Sequence, residues 1–144
     1  MRFLVWENKM GGTITMQKMR YINSLNRISN VRTSDCFVYN NIIFFAVPKA
    51  FVSKAIGLGA KNIKELQMRF GKRVKIIPLT EDVEKFIKSI VNPVEFKSLE
   101  AKEDCYILTA GGRNKAALLG RNKRRLIELN KIVEDFFGKP LKIV

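Results

Sequence analysis

Apolar residues recur along this chain at two spacings, one helical and one strand-like, and the two alternate. Met16, Met19, Ile22, Leu25 and Ile28 fall at every third residue, which predicts a helix whose apolar stripe drifts around its axis. "CFVY" and "IIFFAV" then flank Asn40 and Asn41. This predicts two strands joined by a tight hairpin, because asparagine tolerates the positive φ that such turns need. After Pro48 a short helix is expected to about Ile56, followed by an interruption over residues 57–60. A second helix carries Ile63, Leu66 and Phe70 on one face, and "RVKII" reads as a strand.

The second half runs in the same order. Thr80 is placed to cap a helix whose first turn holds Glu81, Asp82 and Glu84, the sign that the helix dipole favours there. Val83, Phe86, Ile87, Ile90 and Val91 line one face, and Asn92-Pro93 ends the helix. "VEFKSL" and "CYILTA" are expected to be strands on either side of residues 102–104. "GRNKAALL" reads as a short helix, 120–123 as a break, and 123–137 as a long helix before the strand "PLKIV".

The order recurs because the sequence does. "FGKRVKII" (70–77) returns as "FGKPLKIV" (137–144), and upstream "AIGLGAKNIKEL" (55–66) aligns with "LLGRNKRRLIEL" (118–129). Gly57 matches Gly120, and Glu65-Leu66 matches Glu128-Leu129. The offset is 63 residues upstream and 67 at the FGK copies, so four extra residues lie inside the second copy's long helix. Four residues are about one turn, which keeps the apolar face in place and is what a true duplication tolerates. The expected fold class is α+β, α-β-β-α-α-β twice, over residues 15–79 and 80–144. Only residues 78–80 separate the last strand of one module from the first helix of the next, so the modules are expected to pack as one rigid unit. Residues 1–14 show no periodicity and are expected to be a weakly ordered extension.

Composition narrows the function. The chain has 144 residues, 47% of them apolar, which suffices for a core. It carries a net charge of +14. Up to Leu79 there are 14 Lys and Arg against 3 Asp and Glu, giving +11; the remainder has 13 against 10, giving +3. Such a balance favours a polyanionic partner, because each Lys or Arg set on a phosphate releases a condensed counterion. There is no histidine, and Cys36 and Cys105 stand alone, which removes histidine acid/base catalysis and the usual zinc spacings together. Both cysteines read as small buried apolar residues. Glu81, Asp82 and Glu84 read as helix-start residues, not as a metal cluster. No catalytic residue, cofactor, metal or small-molecule substrate is therefore expected. The longest apolar run, residues 42–47, is too short to cross a bilayer, and the start of the chain has no cleavage pattern of a signal peptide. The expected location is the cytoplasm, with no membrane partner.

A short helix, a four-residue glycine loop and a second helix suit a nucleic acid backbone. Glycine takes positive φ and lets a sugar-phosphate chain approach without a Cβ in the way, while the second helix turns unpaired N–H groups toward it. The two loops are Gly57, Leu58, Gly59, Ala60 and Gly120, Arg121, Asn122, Lys123. Lys54, Lys61, Lys64, Lys72, Arg73 and Lys75 surround the first as a candidate basic rim. Arg113, Lys115, Arg124, Arg125 and Lys142 serve the second. Residues 113–125 hold six cations and no acidic residue. Ile56, Ile63 and Val74 read as core residues in preference to base contacts.

An apolar residue followed by a Gly-x-x-Gly loop and a helix resembles the KH domain, which clamps about four nucleotides of single strand. The helix ahead of both strands resembles the type II form. Two such modules joined by "IIPLTEDVEKFIKSIVNPVEFKSL", with "RYINSLNRISNVRTSDC" ahead of them, resemble the archaeal NusA-like transcription factors over about residues 15–144. The resemblance implies single-stranded RNA, in particular a nascent transcript, as ligand and RNA polymerase as partner, in elongation, termination or antitermination. Two alternatives are a ribosome-associated RNA-binding protein and a protein-interaction scaffold. Both loops depart from the family pattern. Ala60 stands where the second glycine belongs, and Lys123 stands there in the other loop. An alanine held at positive φ costs roughly 1 kcal/mol, which favours a different turn in the first loop.

Overall fold

The computed structural model describes residues 16–144, so the extension read over residues 1–14 lies outside the described residues. The chain divides into two compact units, one ending at Thr80 and the other being Glu81–Val144. The first unit contains α1 (Met16–Ser29), β1 (Asp35–Tyr39), β2 (Ile42–Val47), a 3-10 turn at Lys49–Phe51 that leads into α2 (Val52–Ile56), a 3-10 turn at Leu58–Ala60, α3 (Lys61–Phe70) and β3 (Arg73–Pro78). The second contains α4 (Val83–Val91), β4 (Ser98–Ala101), β5 (Tyr106–Thr109), α5 (Gly112–Leu119), a 3-10 turn at Arg121–Lys123, α6 (Arg124–Phe137) and β6 (Leu141–Ile143). The α+β architecture of two tandem KH-like modules, each α-β-β-α-α-β, is the one the repeat predicts.

Each unit has a three-stranded sheet with the middle strand antiparallel to one neighbour and parallel to the other. In the first, β2 pairs antiparallel with β1 (Phe37 opposite Phe44) and parallel with β3 (Ile43 opposite Val74). In the second, β5 pairs antiparallel with β4 (Glu100 opposite Ile107) and parallel with β6 (Tyr106 opposite Leu141). The hairpin of the first sheet turns on Asn40 (φ 52°) and Asn41 (φ 60°), the left-handed pair that a two-residue loop of this hand demands. The parallel partner arrives only after the helix pair, so the loop between α2 and α3 belongs to the crossover that closes the sheet.

In the first unit the helices cover one sheet face. Tyr21 and Leu25 of α1, Ala55 of α2 and Leu66 of α3 share a core with Cys36, Ile43, Phe45, Val47, Val74 and Ile76. Strand alternation sends Phe37, Tyr39, Phe44 and Lys75 to the opposite face. There Phe37 stacks on Phe44, with centroids 5.2 Å apart and planes 9° apart, and Tyr39 meets Phe44 edge-on at 6.4 Å. In the second unit Phe86 of α4 packs against Phe136 and Phe137 of α6 at 4.7 and 5.4 Å.

The four additional residues of the second copy fall where the offsets put them, since α3 has 10 residues and α6 has 14. Both helices end on a left-handed glycine, Gly71 (φ 65°) and Gly138 (φ 82°). Each also offers a side-chain amide oxygen to the strand that follows. The Val74 amide donates to Oε1 of Gln67 at 3.0 Å, and the Leu141 amide donates to Oδ1 of Asn130 at 2.7 Å. Gln67 and Asn130 are 63 residues apart, so the extra turn lies between Asn130 and Phe137.

Two local expectations change. The cap of α4 is Asp82, whose carboxylate accepts from the amides of Glu84 and Lys85 at 3.0 and 3.3 Å, and not Thr80. With Val83 as the first helical residue, only residue 82 reaches the second and third helical amides. The strand read over 94–99 begins later. The Val94 amide bonds back to the Val91 carbonyl at 2.9 Å and turns the chain, and the ladder starts with Ser98 opposite Thr109. Among the described residues no helix is long and apolar enough to cross a membrane.

Candidate functional site

The two glycine loops differ at three of four positions and share one backbone. Gly57 (φ 81°, ψ 164°) corresponds to Gly120 (72°, 174°). Gly59 (61°, 28°) corresponds to Asn122 (56°, 29°), and Ala60 (59°, 29°) to Lys123 (58°, 24°). The hydrogen bonds repeat as well. The Gly57 amide donates to the Ser53 carbonyl at 2.9 Å and the Ala60 amide to the Gly57 carbonyl at 3.1 Å; Gly120 to Ala116 (3.0 Å) and Lys123 to Gly120 (3.1 Å) match them. The alternative turn expected for the first loop does not form. Helix docking on the core, through Ala55 and Leu66, sets where α2 ends and α3 begins. The strain of one left-handed alanine, about 1–2 kcal/mol, is small beside the burial of those side chains.

The first glycine of each loop is required by a neighbour five residues on. A Cβ at position 57 would come within 2.9 Å of Cγ and Nδ2 of Asn62. The Asn62 amide nitrogen donates to the Lys54 carbonyl at 3.1 Å and ties the start of α3 to the end of α2. At Gly120 the neighbour is Arg125, whose Cγ would lie 2.5 Å from such a Cβ. Arg125 is held by Glu128 at 2.8 Å and its side chain is only 20% exposed. Neither seat was legible in the sequence, although both residues stand at glycine plus five in matched copies.

At the first loop Lys54, Lys61 and Lys64 are exposed around residues 57–60, and Leu58 stands out at 96% exposure. The other cations of that module lie elsewhere. Lys72 and Arg73 sit beyond the far end of α3, and Lys75 is on the sheet face away from the helices, with Nζ 5.9 Å over the Phe44 ring. At the second loop Arg121, Lys123 and Arg124 are exposed and contiguous, whereas Arg125 is drawn under Gly120. Arg113 and Lys115 begin α5, about 10 Å of helix from the loop at 1.5 Å per residue. Lys142 holds on β6 the place of Lys75 on β3, opposite Ile107. Val74 is buried, and Ile56 and Ile63 are half-buried against the core.

The acidic and sulfur groups have structural work. Asp82 caps α4 and Glu84 pairs with Lys88 at 3.4 Å. Among the described residues no three His, Cys, Asp or Glu are placed to hold a metal ion. Cys36 and Cys105 are buried free thiols. Burial pushes the Cys36 thiol up to about 12, so at neutral pH it is a protonated packing group and not a nucleophile.

The left-handed alanine gives a direct test of the loop. Ala60→Gly is expected to stabilise the chain by about 0.5–1 kcal/mol, read as a higher urea midpoint at unchanged slope, because glycine meets no Cβ penalty there. A lowered midpoint would mean that residue 60 is not strained.

No family model matches the chain. In sequence it is 33% identical over 89 residues, 62% of the chain and 49% of the relative, to the probable transcription termination protein NusA of Methanocaldococcus jannaschii. It is 29% identical over 82 residues, 57% of the chain and 47% of the relative, to the protein of the same name from Methanococcus vannielii. The chain spans about half the length of these curated relatives. In structure it matches the crystal structure of the archaeal protein APE1850 with a TM-score of 0.66 at 24% identity, over 91% of this chain and 100% of that one. The chain is thus similar in sequence to archaeal proteins of the NusA kind, and it shares the fold of APE1850 over nearly its whole length.

Proposed function

We propose that the chain is a non-enzymatic, single-stranded RNA-binding factor of transcription termination or antitermination, with RNA held at the loop-and-helix clefts of its two modules. One observation carries the reading. Two loops with different sequences keep the same backbone, and three residues with a Cβ, Ala60, Asn122 and Lys123, are held in the left-handed region to do so. Strain of this kind persists where a surface has to keep its shape. The exposed cations beside these loops suit phosphates, and the names of the curated relatives set the biological frame. RNA polymerase is the protein partner that this frame supplies.

The test is fluorescence anisotropy with a labelled 12-nucleotide single-stranded RNA. With about five phosphates contacted, log K should fall with log salt at a slope near −3.5, so affinity drops about a hundredfold between 50 and 200 mM KCl. A duplex of the same length should compete poorly. Equal competition by the duplex, or a flat salt dependence, would remove the reading. Crosslinking in cells then separates nascent transcripts from ribosomal RNA, the ligand expected of a ribosome-associated protein.

A further inference from the structure

The two loops share a backbone but not a surface, and we infer that the second module grips phosphate while the first holds the strand with no charge in its loop. This rests on the RNA-binding reading above and assigns unequal roles within it. In the aligned copies Leu58 corresponds to Arg121, Gly59 to Asn122, and Ala60 to Lys123. The loop at 57–60 is therefore neutral, and the loop at 120–123 carries two positive charges.

Neighbouring groups preserve this difference. Arg121, Lys123 and Arg124 are exposed, and none has an acidic partner among the described residues. Glu128, the carboxylate one turn into α6, is occupied by Arg125 at 2.8 Å and so leaves those three charges unopposed. In the first module Lys54, Lys61 and Lys64 stand exposed on the helices beside the loop, and other cations lie away from it. Lys75 lies over Phe44 on the sheet face opposite the helices, and Lys72 and Arg73 lie past the far end of α3. A helix layer is about 10 Å thick, and the screening length at 0.15 M salt is about 8 Å. Charges across the sheet thus add little at the loop. Within the four loop residues the charge is 0 against +2, the reverse of the +11 against +3 of the two halves, and the cations beside the first loop, Lys54, Lys61 and Lys64, belong to its flanking helices. What the first loop does offer is backbone and the apolar Leu58, which suit a sugar or base in preference to a phosphodiester.

The experiment exchanges the two surfaces in the full chain. The probe is a fluorescein-labelled 12-nucleotide oligouridylate, read by anisotropy from 50 to 200 mM KCl. Arg121→Leu with Lys123→Ala makes the second loop resemble the first. It should weaken binding about tenfold at 100 mM KCl and flatten the slope of log K against log salt by about 1.4, two phosphates at roughly 0.7 each. Leu58→Arg with Ala60→Lys makes the first loop resemble the second, and should tighten binding about tenfold with a slope steeper by the same amount. Lys72→Ala with Lys75→Ala should change affinity less than twofold. The inference is overturned alone if wild type binds and the Leu58/Ala60 exchange brings no gain. It is equally overturned if the Lys72/Lys75 pair costs as much as the Arg121/Lys123 pair. Wild type that fails to bind at 50 mM KCl overturns the RNA-binding reading and this assignment with it. Far-UV circular dichroism and the urea midpoint identify any variant that has lost its fold, and the gain expected at Leu58 and Ala60 cannot arise from misfolding.

Discussion

Gly120→Ala should destabilise the chain by about 2–3 kcal/mol, seen as a lowered urea midpoint by far-UV circular dichroism, and Gly57→Ala should cost about 1–2 kcal/mol. Both glycines sit at φ 72–81° with ψ near 170°, a region that residues with a Cβ essentially do not enter, so each substitution meets dihedral strain first. What separates them is the neighbour beneath. At Gly120 the new methyl would lie 2.5 Å from Cγ of Arg125 and 3.0 Å from its backbone nitrogen. Cγ is near the root of that side chain, and the guanidinium is fixed by Glu128, so relief requires breaking the ion pair and lifting the start of α6. At Gly57 the contacts are looser, with Cγ and Nδ2 of Asn62 at 2.9 Å and its backbone nitrogen at 3.1 Å, and the short Asn62 side chain is held by one exposed hydrogen bond to Lys54 in place of an ion pair. Equal costs for the two alanines would show that the seat under the glycine does not matter. A cost below about 0.5 kcal/mol for Gly120→Ala would show that the loop backbone is not held at all.

The same contrast shows what a linear sequence carries and what it hides. Periodic features were legible: the alternating strands around Asn40-Asn41, the apolar face of α4, and the four-residue surplus of α6 over α3. Each is set by spacing along the chain. Cap choice was not legible, because Thr80 and Asp82 are both good cap residues and only the register of Val83 decides between them. The late start of β4 was hidden for a similar reason, since the Val94 turn onto Val91 removes residues from a run with strand composition. At the site, the glycines and the loop cations were visible, and the supporting residues were not. Asn62 and Arg125 act across a turn, by occupying the space that a Cβ would take. Charge counting also misplaces Lys75, because a strand sends successive side chains to opposite faces and this one leaves the helix side.

Changing Leu58-Gly59 and Arg121-Asn122 together to aspartate pairs should weaken binding to single-stranded RNA by at least a hundredfold at 100 mM KCl. Two charges 4 Å apart in water interact by about 1 kcal/mol, so four new carboxylates and one lost guanidinium exceed the roughly 2.7 kcal/mol of a hundredfold change even after salt screening. The fold should survive, since Leu58 and Arg121 are exposed, and aspartate enters the left-handed region at positions 59 and 122 more readily than most residues. Taken singly, the pair at 121–122 should cost more than the pair at 58–59, because only the former removes a cation while adding its anions. Association with RNA polymerase or ribosomes provides the contrasting measurement. If the fourfold variant keeps its RNA affinity, the loops are not the site and the clefts lose their role. If it loses RNA but still binds those assemblies, the protein contacts lie elsewhere on the two modules. If both are lost while the urea midpoint is unchanged, the RNA is what holds the chain to them.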